Sequence, residues 1–254
     1  MNQKPLKPFL KKLHQRYDKK YLGNDPICFV HNYFDPKDQE IVGLISALMS
    51  FGNAKSIQIS VKKVLNLLGK HPYQTLLESD FKKQDEAFKT LGHRWIRGSD
   101  IKDLLLVLKK ALKKFGSIKN LFLEGYNRAD PDISNALTIF SQAMKKKTHY
   151  FLFPSPQDGS PCKRLNMFLR WMVRPTDGID LGLWKEIPTS KLIVPLDTHI
   201  FQFARRYKIS RYKNPNWKIA VEVTQFLKTL DANDPVKFDF AICHYGMEKG
   251  WLKK

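Results

Sequence analysis

Apolar residues recur along this chain at helical spacing. Ile41, Leu44, Ile45, Leu48 and Met49 form one stripe, and Ile57, Val61, Val64, Leu65 and Leu68 a second. Leu104, Leu105, Leu108, Ala111, Leu112 and Phe115 form a third, with Ser99 or Asp100 placed as its N-cap. Ile133, Leu137, Phe140 and Met144 form a fourth, and Leu165, Phe168, Leu169 and Met172 a fifth. Ile200, Phe203, Ala204 and Tyr207 make the next, followed by Ile219, Val223, Phe226, Leu227 and Leu230, and by Phe238, Ala241, Ile242 and Tyr245. Each set puts its apolar side chains on one face of an α-helix. No alternating run of useful length is present, and Ile193-Val194 is too short to count as a strand. The spacing predicts an all-α protein.

The chain has no internal repeat and no low-complexity segment. Breaks are expected at Asp35-Pro36 and over the Pro/Gly-rich stretch from Phe153 to Pro161. These divide a single unit over residues 1–254 into a first lobe of about 37–150 and a second of about 1–36 plus 151–254. A site at the junction of two helical lobes is the natural expectation.

Charge changes the picture most. Lys plus Arg is 44 against 24 Asp plus Glu, a net of +20 with pI near 9.8. Such an excess points to a polyanionic partner, nucleic acid before a membrane surface, although a merely soluble basic protein would also carry it. Lys109, Lys110, Lys113 and Lys114 lie opposite the apolar stripe of their helix, and Lys145, Lys146 and Lys147 end the next one. Arg205, Arg206, Lys208, Arg211 and Lys213 adjoin the candidate site below and are the cluster to set against phosphates. No stretch approaches the roughly 20 apolar residues that span a bilayer. There is no apolar signal segment, so a cytosolic protein is expected. Cys28, Cys162 and Cys243 are far apart, which supports neither a disulfide framework, a zinc ribbon nor a cysteine-ligated iron–sulfur cluster. Idle thiols are the simple reading. No metal and no cofactor is expected.

Two residues could carry chemistry. Asp197, after Pro195, precedes a strong helical pattern, and Lys163 lies at the mouth of another helix, after the turn-like run 154–161. A lysine and an aspartate at helix mouths in a very basic chain suggest amine chemistry on a nucleic acid. N-capping alone would also explain Asp197.

The segment Asp197-Thr198-His199-Ile200-Phe201 resembles the Asp-Thr-His signature of the endonuclease III-like glycosylases, members of the helix-hairpin-helix DNA glycosylase superfamily. Three further segments resemble that family in order: Leu44 to Ser50, Arg97 to Lys102, and Lys237 to Gly246. Gly159-Ser160-Pro161-Cys162-Lys163 is similar to the hairpin end Gly-x-Gly-x-Lys, with Pro161 where the second glycine stands. The longer gap from Lys163 to Asp197 and the irregular hairpin look more like the archaeal 8-oxoguanine glycosylases. They also look like a group of bacterial proteins that share the run from Cys162 to Arg174.

The resemblance implies an all-α, two-lobed helix-hairpin-helix glycosylase fold with the active-site cleft between lobes. It implies a bacterial base-excision-repair enzyme, monomeric and nucleoid-associated, acting on damaged double-stranded DNA. An oxidised purine would be excised through a Lys163 Schiff base assisted by Asp197, with strand nicking by β-elimination. Gly159, Arg164, Arg205 and Arg206 would hold DNA, and Phe51 and Asn53 would stand at the DNA-wedging loop. Asp239 could contact a flipped base or equally cap its helix, and Trp171 is a base-recognition candidate, although Trp171 and Trp184 are residues more often found in a core than stacking on a base. His199 is expected as a packed, hydrogen-bonded residue in the first turn and not as a catalyst. Pro161 and Gly52-Asn53 depart from the family pattern and keep open a non-catalytic nucleic-acid-binding protein of the same fold. Action on RNA is a third alternative.

Overall fold

A computed structural model describes residues 6–145 and 151–251. Lys146 and Lys147 of the basic run, and the ends of the expected 1–254 unit, lie outside the described residues. The described chain is mostly helical, with one two-residue strand pair and irregular connections: α1 (Leu6–Arg16), α2 (Pro36–Leu48), α3 (Ala54–Leu68), α4 (Pro72–Glu78), α5 (Asp85–Lys89), β1 (Gly92–His93), β2 (Ile96–Arg97), α6 (Gly98–Phe115), α7 (Ile118–Leu123), α8 (Ser134–Lys145), α9 (Lys163–Val173), α10 (Thr198–Arg206), α11 (Trp217–Lys228) and α12 (Asp239–Lys249). The eight apolar stripes fall on α2, α3, α6, α8, α9, α10, α11 and α12.

Two local expectations need correction. β1 and β2 form an antiparallel pair, Gly92 opposite Arg97 and His93 opposite Ile96, too short for any alternation to betray. The N-cap of α6 is Arg97, not Ser99 or Asp100. Asp100 sits in the first turn, where its Oδ2 accepts the Arg97 N–H at 2.8 Å. That satisfies an orphan donor from inside the helix.

The chain forms two compact units. One comprises residues 1–22, 128–134 and 155–254, the other 23–127 and 135–154. The sequence division differs over residues 23–36, 128–134 and 151–154, because composition cannot report which core a connecting segment packs on.

In the second of these units α2 is the central element: Ile41, Val42, Leu44, Ile45, Ala47 and Leu48 are fully buried. Two acids near its start are buried as well and serve other helices. Asp38 Oδ1 accepts the Tyr73 N–H in the first turn of α4 at 2.7 Å. Glu40 accepts the Ile118 and Lys119 N–H groups of α7 at 2.7 and 2.9 Å. Each meets donors that a helix N-terminus leaves unpaired, at a positive dipole end, which is how a buried carboxylate is tolerated.

In the other unit α1 and α10 both pack on α12. The core there holds Trp171, Phe168, Trp184, Phe203, Phe238 and Trp251. Phe168 and Trp184 meet edge to face at 5.3 Å, as do Phe203 and Trp251 at 5.1 Å.

Candidate functional site

The segment before Lys163 is built from turns. Ser155 Oγ accepts the Gln157 N–H at 3.2 Å and starts a 3-10 turn over Pro156–Asp158. Gly159, in the left-handed region at φ 72°, closes it with its N–H on Pro156 O at 2.9 Å. The Gly159 carbonyl accepts the Trp217 N–H at 2.9 Å, tying the turn to the start of α11. Both backbone polar groups of Gly159 are therefore spent inside the protein, and the N–H that the hairpin reading offers to a phosphate is not on offer. Cys162, also left-handed at φ 48°, makes the bend into α9. Asn166 holds that bend, its N–H on Cys162 O at 2.9 Å and its Nδ2 on Pro161 O at 3.2 Å. Lys163 is then the first residue of α9, partly exposed at its mouth.

Asp197 is the N-cap of α10. Its backbone is extended and Oδ1 accepts the Ile200 N–H at 2.8 Å. Oδ2 faces α12, where Cys243 Sγ stands 3.3 Å away. The same sulfur is 3.8 Å from Oδ1 of Asp239, one turn earlier on α12. Burial first, then the Asp197 and Asp239 charges, push the Cys243 thiol well above its usual range, while Lys163 opposes them. The mouths of α9 and α10 and one face of α12 thus bring Lys163, Asp197, Cys243 and Asp239 into one electrostatic neighbourhood.

Behind them lies a buried charge network. Arg170, on α9, donates to Asp180 Oδ1 at 3.1 Å and to Asp239 Oδ2 at 2.5 Å. Arg174, one turn on, binds Asp180, Asp177 and Asp234. Asp239 is 3% exposed. Burial raises its carboxyl to about 6, against the pull of Arg170 and with a further push from Asp197. Its Oδ2 is committed to Arg170, so the structure places Asp239 as the link between that network and the site. It is not a free contact for a base, nor a cap, since Phe238 is the N-cap of α12.

Several other expected residues are placed elsewhere. Arg164 is 7% exposed, and burial lowers its guanidinium to about 10. A guanidinium inside the core does not reach a phosphate, so its assignment to DNA is corrected. Trp171 is fully buried and its indole N–H has no partner among the described residues, which makes it core and not a base reader. His199 packs in α10, its ring against Gly246 of α12, where an added Cβ would come within 2.7 Å of Nδ1. The hydrogen bond expected of it is not made at Nδ1, which is buried with no partner among the described residues. Arg205 and Arg206 are exposed at the end of α10, and Arg206 also donates to the Trp251 carbonyl at 2.9 Å.

Phe51 and Asn53 lie in the other unit. Asn53 is the N-cap of α3, accepting the Ser56 N–H at 2.8 Å. Phe51 stacks in an aromatic group that sequence reading missed: His93 at 4.4 Å, Trp95 at 4.9 Å and Phe151 at 5.1 Å between ring centres. His93 fixes the group by meeting Phe51 O at 2.7 Å and Ser60 Oγ at 3.1 Å. Trp95, at the tip between β1 and β2, is 52% exposed, and the Arg94 guanidinium lies 5.1 Å from its ring centre. Gly52 has φ 96°, and a Cβ there would stand 2.9 Å from Arg94 Cδ. The departure from the family pattern at Gly52 thus has a local cause: the left-handed backbone and the arginine laid across it. A cavity of about 950 Å³ in the same unit, lined by Phe34, Ile59, Lys62 and His71 among others, takes in none of the expected site residues.

Among the described residues no group of three or more His, Cys, Asp or Glu is placed to hold a metal ion. No described helix is long and apolar enough to cross a membrane. No curated protein and no solved structure matches the chain. The family described as "Protein of unknown function (DUF2400)" matches residues 25–248, and the chain belongs to that family.

Proposed function

We propose that this protein is a DNA glycosylase with lyase capacity, acting on an oxidised purine such as 8-oxoguanine, with a two-lobed helix-hairpin-helix glycosylase-like fold. The observation that carries the reading is the convergence of Lys163 at the mouth of α9 with Asp197 at the mouth of α10, both partly exposed beside Cys243. An amine and a carboxylate held by two helix starts are what the chemistry needs.

The nucleotide is first turned out of the duplex, at a cost of a few kcal/mol. The Lys163 amine attacks C1′; the bond from C1′ to the base breaks, and the departing base takes up a proton. The proton shed by the attacking amine goes to Asp197, whose charge also stabilises the positive sugar in the transition state. Opening of the sugar ring, with O4′ taking a proton, leaves a Schiff base. Loss of a C2′ proton then expels the 3′ phosphate. Arg205 and Arg206, exposed in the last turn of α10, offer charge to a phosphate backbone. Taken by itself, the other unit offers an exposed aromatic surface for a base at Trp95, with Arg94 and Phe51 against it.

Borohydride trapping tests this. Duplexes carrying 8-oxoguanine, an abasic site or other lesions are incubated with the protein and then reduced. A covalent protein–DNA adduct that vanishes in Lys163→Gln supports the enzyme. No adduct and no base release across a broad lesion panel sinks it. A second reading, a nucleic-acid-binding protein without turnover, is favoured by one observation: the turn before Lys163 spends the Gly159 N–H internally and has Pro161 next to its bend. Salt-dependent binding to undamaged duplex without any turnover would select it.

A further inference from the structure

We infer that Cys243 is a positioning residue that fixes the Asp197 carboxylate by donating its S–H to Oδ2. The inference rests on the role proposed for Asp197 and adds to it the group that sets the carboxylate's orientation.

Asp197 is held at both oxygens, from two different helices. Oδ1 is on the Ile200 N–H of α10 at 2.8 Å, and Oδ2 faces the Cys243 sulfur of α12 at 3.3 Å. A carboxylate pinned at one oxygen still rotates about its Cβ–Cγ bond; pinned at both, its plane is fixed relative to Lys163. The thiol has one proton and two carboxylates within reach, Asp197 at 3.3 Å and Asp239 at 3.8 Å. Distance decides for Asp197. Between two acids the sulfur stays protonated and remains a donor.

A thiol suits this position. It is a weak donor, so it orients Asp197 without competing strongly with a proton coming from the Lys163 amine. The charged groups facing the pair are Lys163 from α9, Asp239 from α12 itself, and, through Asp239, Arg170 from α9 and Asp180. The His199 ring of α10 lies one turn further along α12, against Gly246.

The test compares the intact protein with Cys243→Ala and Cys243→Ser. The rate of the borohydride-trapped adduct is measured at neutral pH, with unfolding stability alongside. Cys243→Ala is expected to slow adduct formation about tenfold, because the Asp197 carboxylate loses the group that fixes its orientation. Cys243→Ser, which restores a donor, is expected to return the rate to within about threefold. A second readout needs no activity. The infrared S–H stretch of Cys243, isolated as the difference between the parent and Cys243→Ala, is expected at the lowered frequency of a hydrogen-bonded thiol. In Asp197→Ala it is expected to move back. A free-thiol band in the parent, or a Cys243→Ala variant with the parent's rate, overturns the inference. Absence of any adduct in the parent sinks the proposed enzyme instead, and the infrared measurement then decides the thiol contact by itself.

Discussion

Asp197 Oδ1 accepts the Ile200 N–H at 2.8 Å, so the carboxylate proposed for catalysis is also the one that starts α10. The two roles separate by substitution. Asn caps a helix about as well as Asp, whereas Ala does not. Asp197→Asn is expected to keep unfolding stability within about 0.5 kcal/mol of the parent while losing the fixed charge and the proton acceptor. Trapped-adduct formation is then expected to fall by about 100-fold or more. Asp197→Ala is expected to lose the activity and, in addition, about 1 kcal/mol of stability. Urea unfolding and trapping on the same preparations check both. Equal stability losses in the two variants would leave no cap to explain, and full activity in Asp197→Asn would remove the carboxylate from the mechanism.

The buried Asp239 makes stability depend on pH with a defined sign. Its carboxyl is raised from the ordinary 3.8 to about 6, chiefly by burial. Below 3.8 it is protonated in both folded and unfolded chains, and its contribution is present in full. Between 3.8 and about 6 the unfolded chain has lost the proton that the folded one keeps, so stability falls as pH rises. Above about 6 that contribution is gone. Asn imitates the neutral acid and can still accept from Arg170. The unfolding free energy of the parent minus that of Asp239→Asn is therefore expected to decline across this window and to level off above it. Urea titrations at a series of pH values measure the difference. A difference that rises with pH instead would mean that Arg170 outweighs burial.

Trp95 is 52% exposed at the tip between β1 and β2, with Phe51 and Phe151 behind it. Stacking of a base on an aromatic ring is worth about 1–3 kcal/mol. Trp95→Ala is expected to weaken binding to a duplex with an unpaired base by roughly tenfold, with little loss of stability, since half of the ring is already in water. Quenching of Trp95 fluorescence on binding, absent from Trp95→Ala, identifies the contact. Unchanged affinity would leave the aromatic group a local packing device.

Helical spacing alone placed eight of the helices, because an apolar stripe at that period is a local property. Asp197 and Lys163 were legible for the same reason: both stand at helix starts, which punctuation and pattern betray. What escaped is non-local or short. Cys243 and Asp197 are brought together by the packing of α12 on α10 and have no shared motif. Arg170 and Arg174 read as polar positions on a helix and are instead buried by partners far along the chain, Asp180, Asp234 and Asp239. The Arg94–Trp95 tip rests on a strand pair of two residues each, which no period can reveal. Arg164 was misread because proximity in sequence to Lys163 says nothing about which side of α9 a residue takes.

That last distinction gives a test between two arginines. Arg205 is exposed at the end of α10, and its guanidinium has no hydrogen bond or ion pair among the described residues. Arg164 is 7% exposed within α9. Each phosphate contact contributes about 0.9 to the slope of log K against log salt on duplex DNA. Arg205→Ala is expected to reduce that slope by about one and to leave stability within about 0.5 kcal/mol. Arg164→Ala is expected to leave the slope unchanged and to cost about 2 kcal/mol or more, because it empties a packed interior position and abandons the partners of a buried cation. Fluorescence-anisotropy titrations at several salt concentrations, paired with urea unfolding, read both quantities. The reverse pattern, a lower slope for Arg164→Ala at unchanged stability, would put Arg164 on the DNA after all and would require α9 to turn that side chain outward on binding.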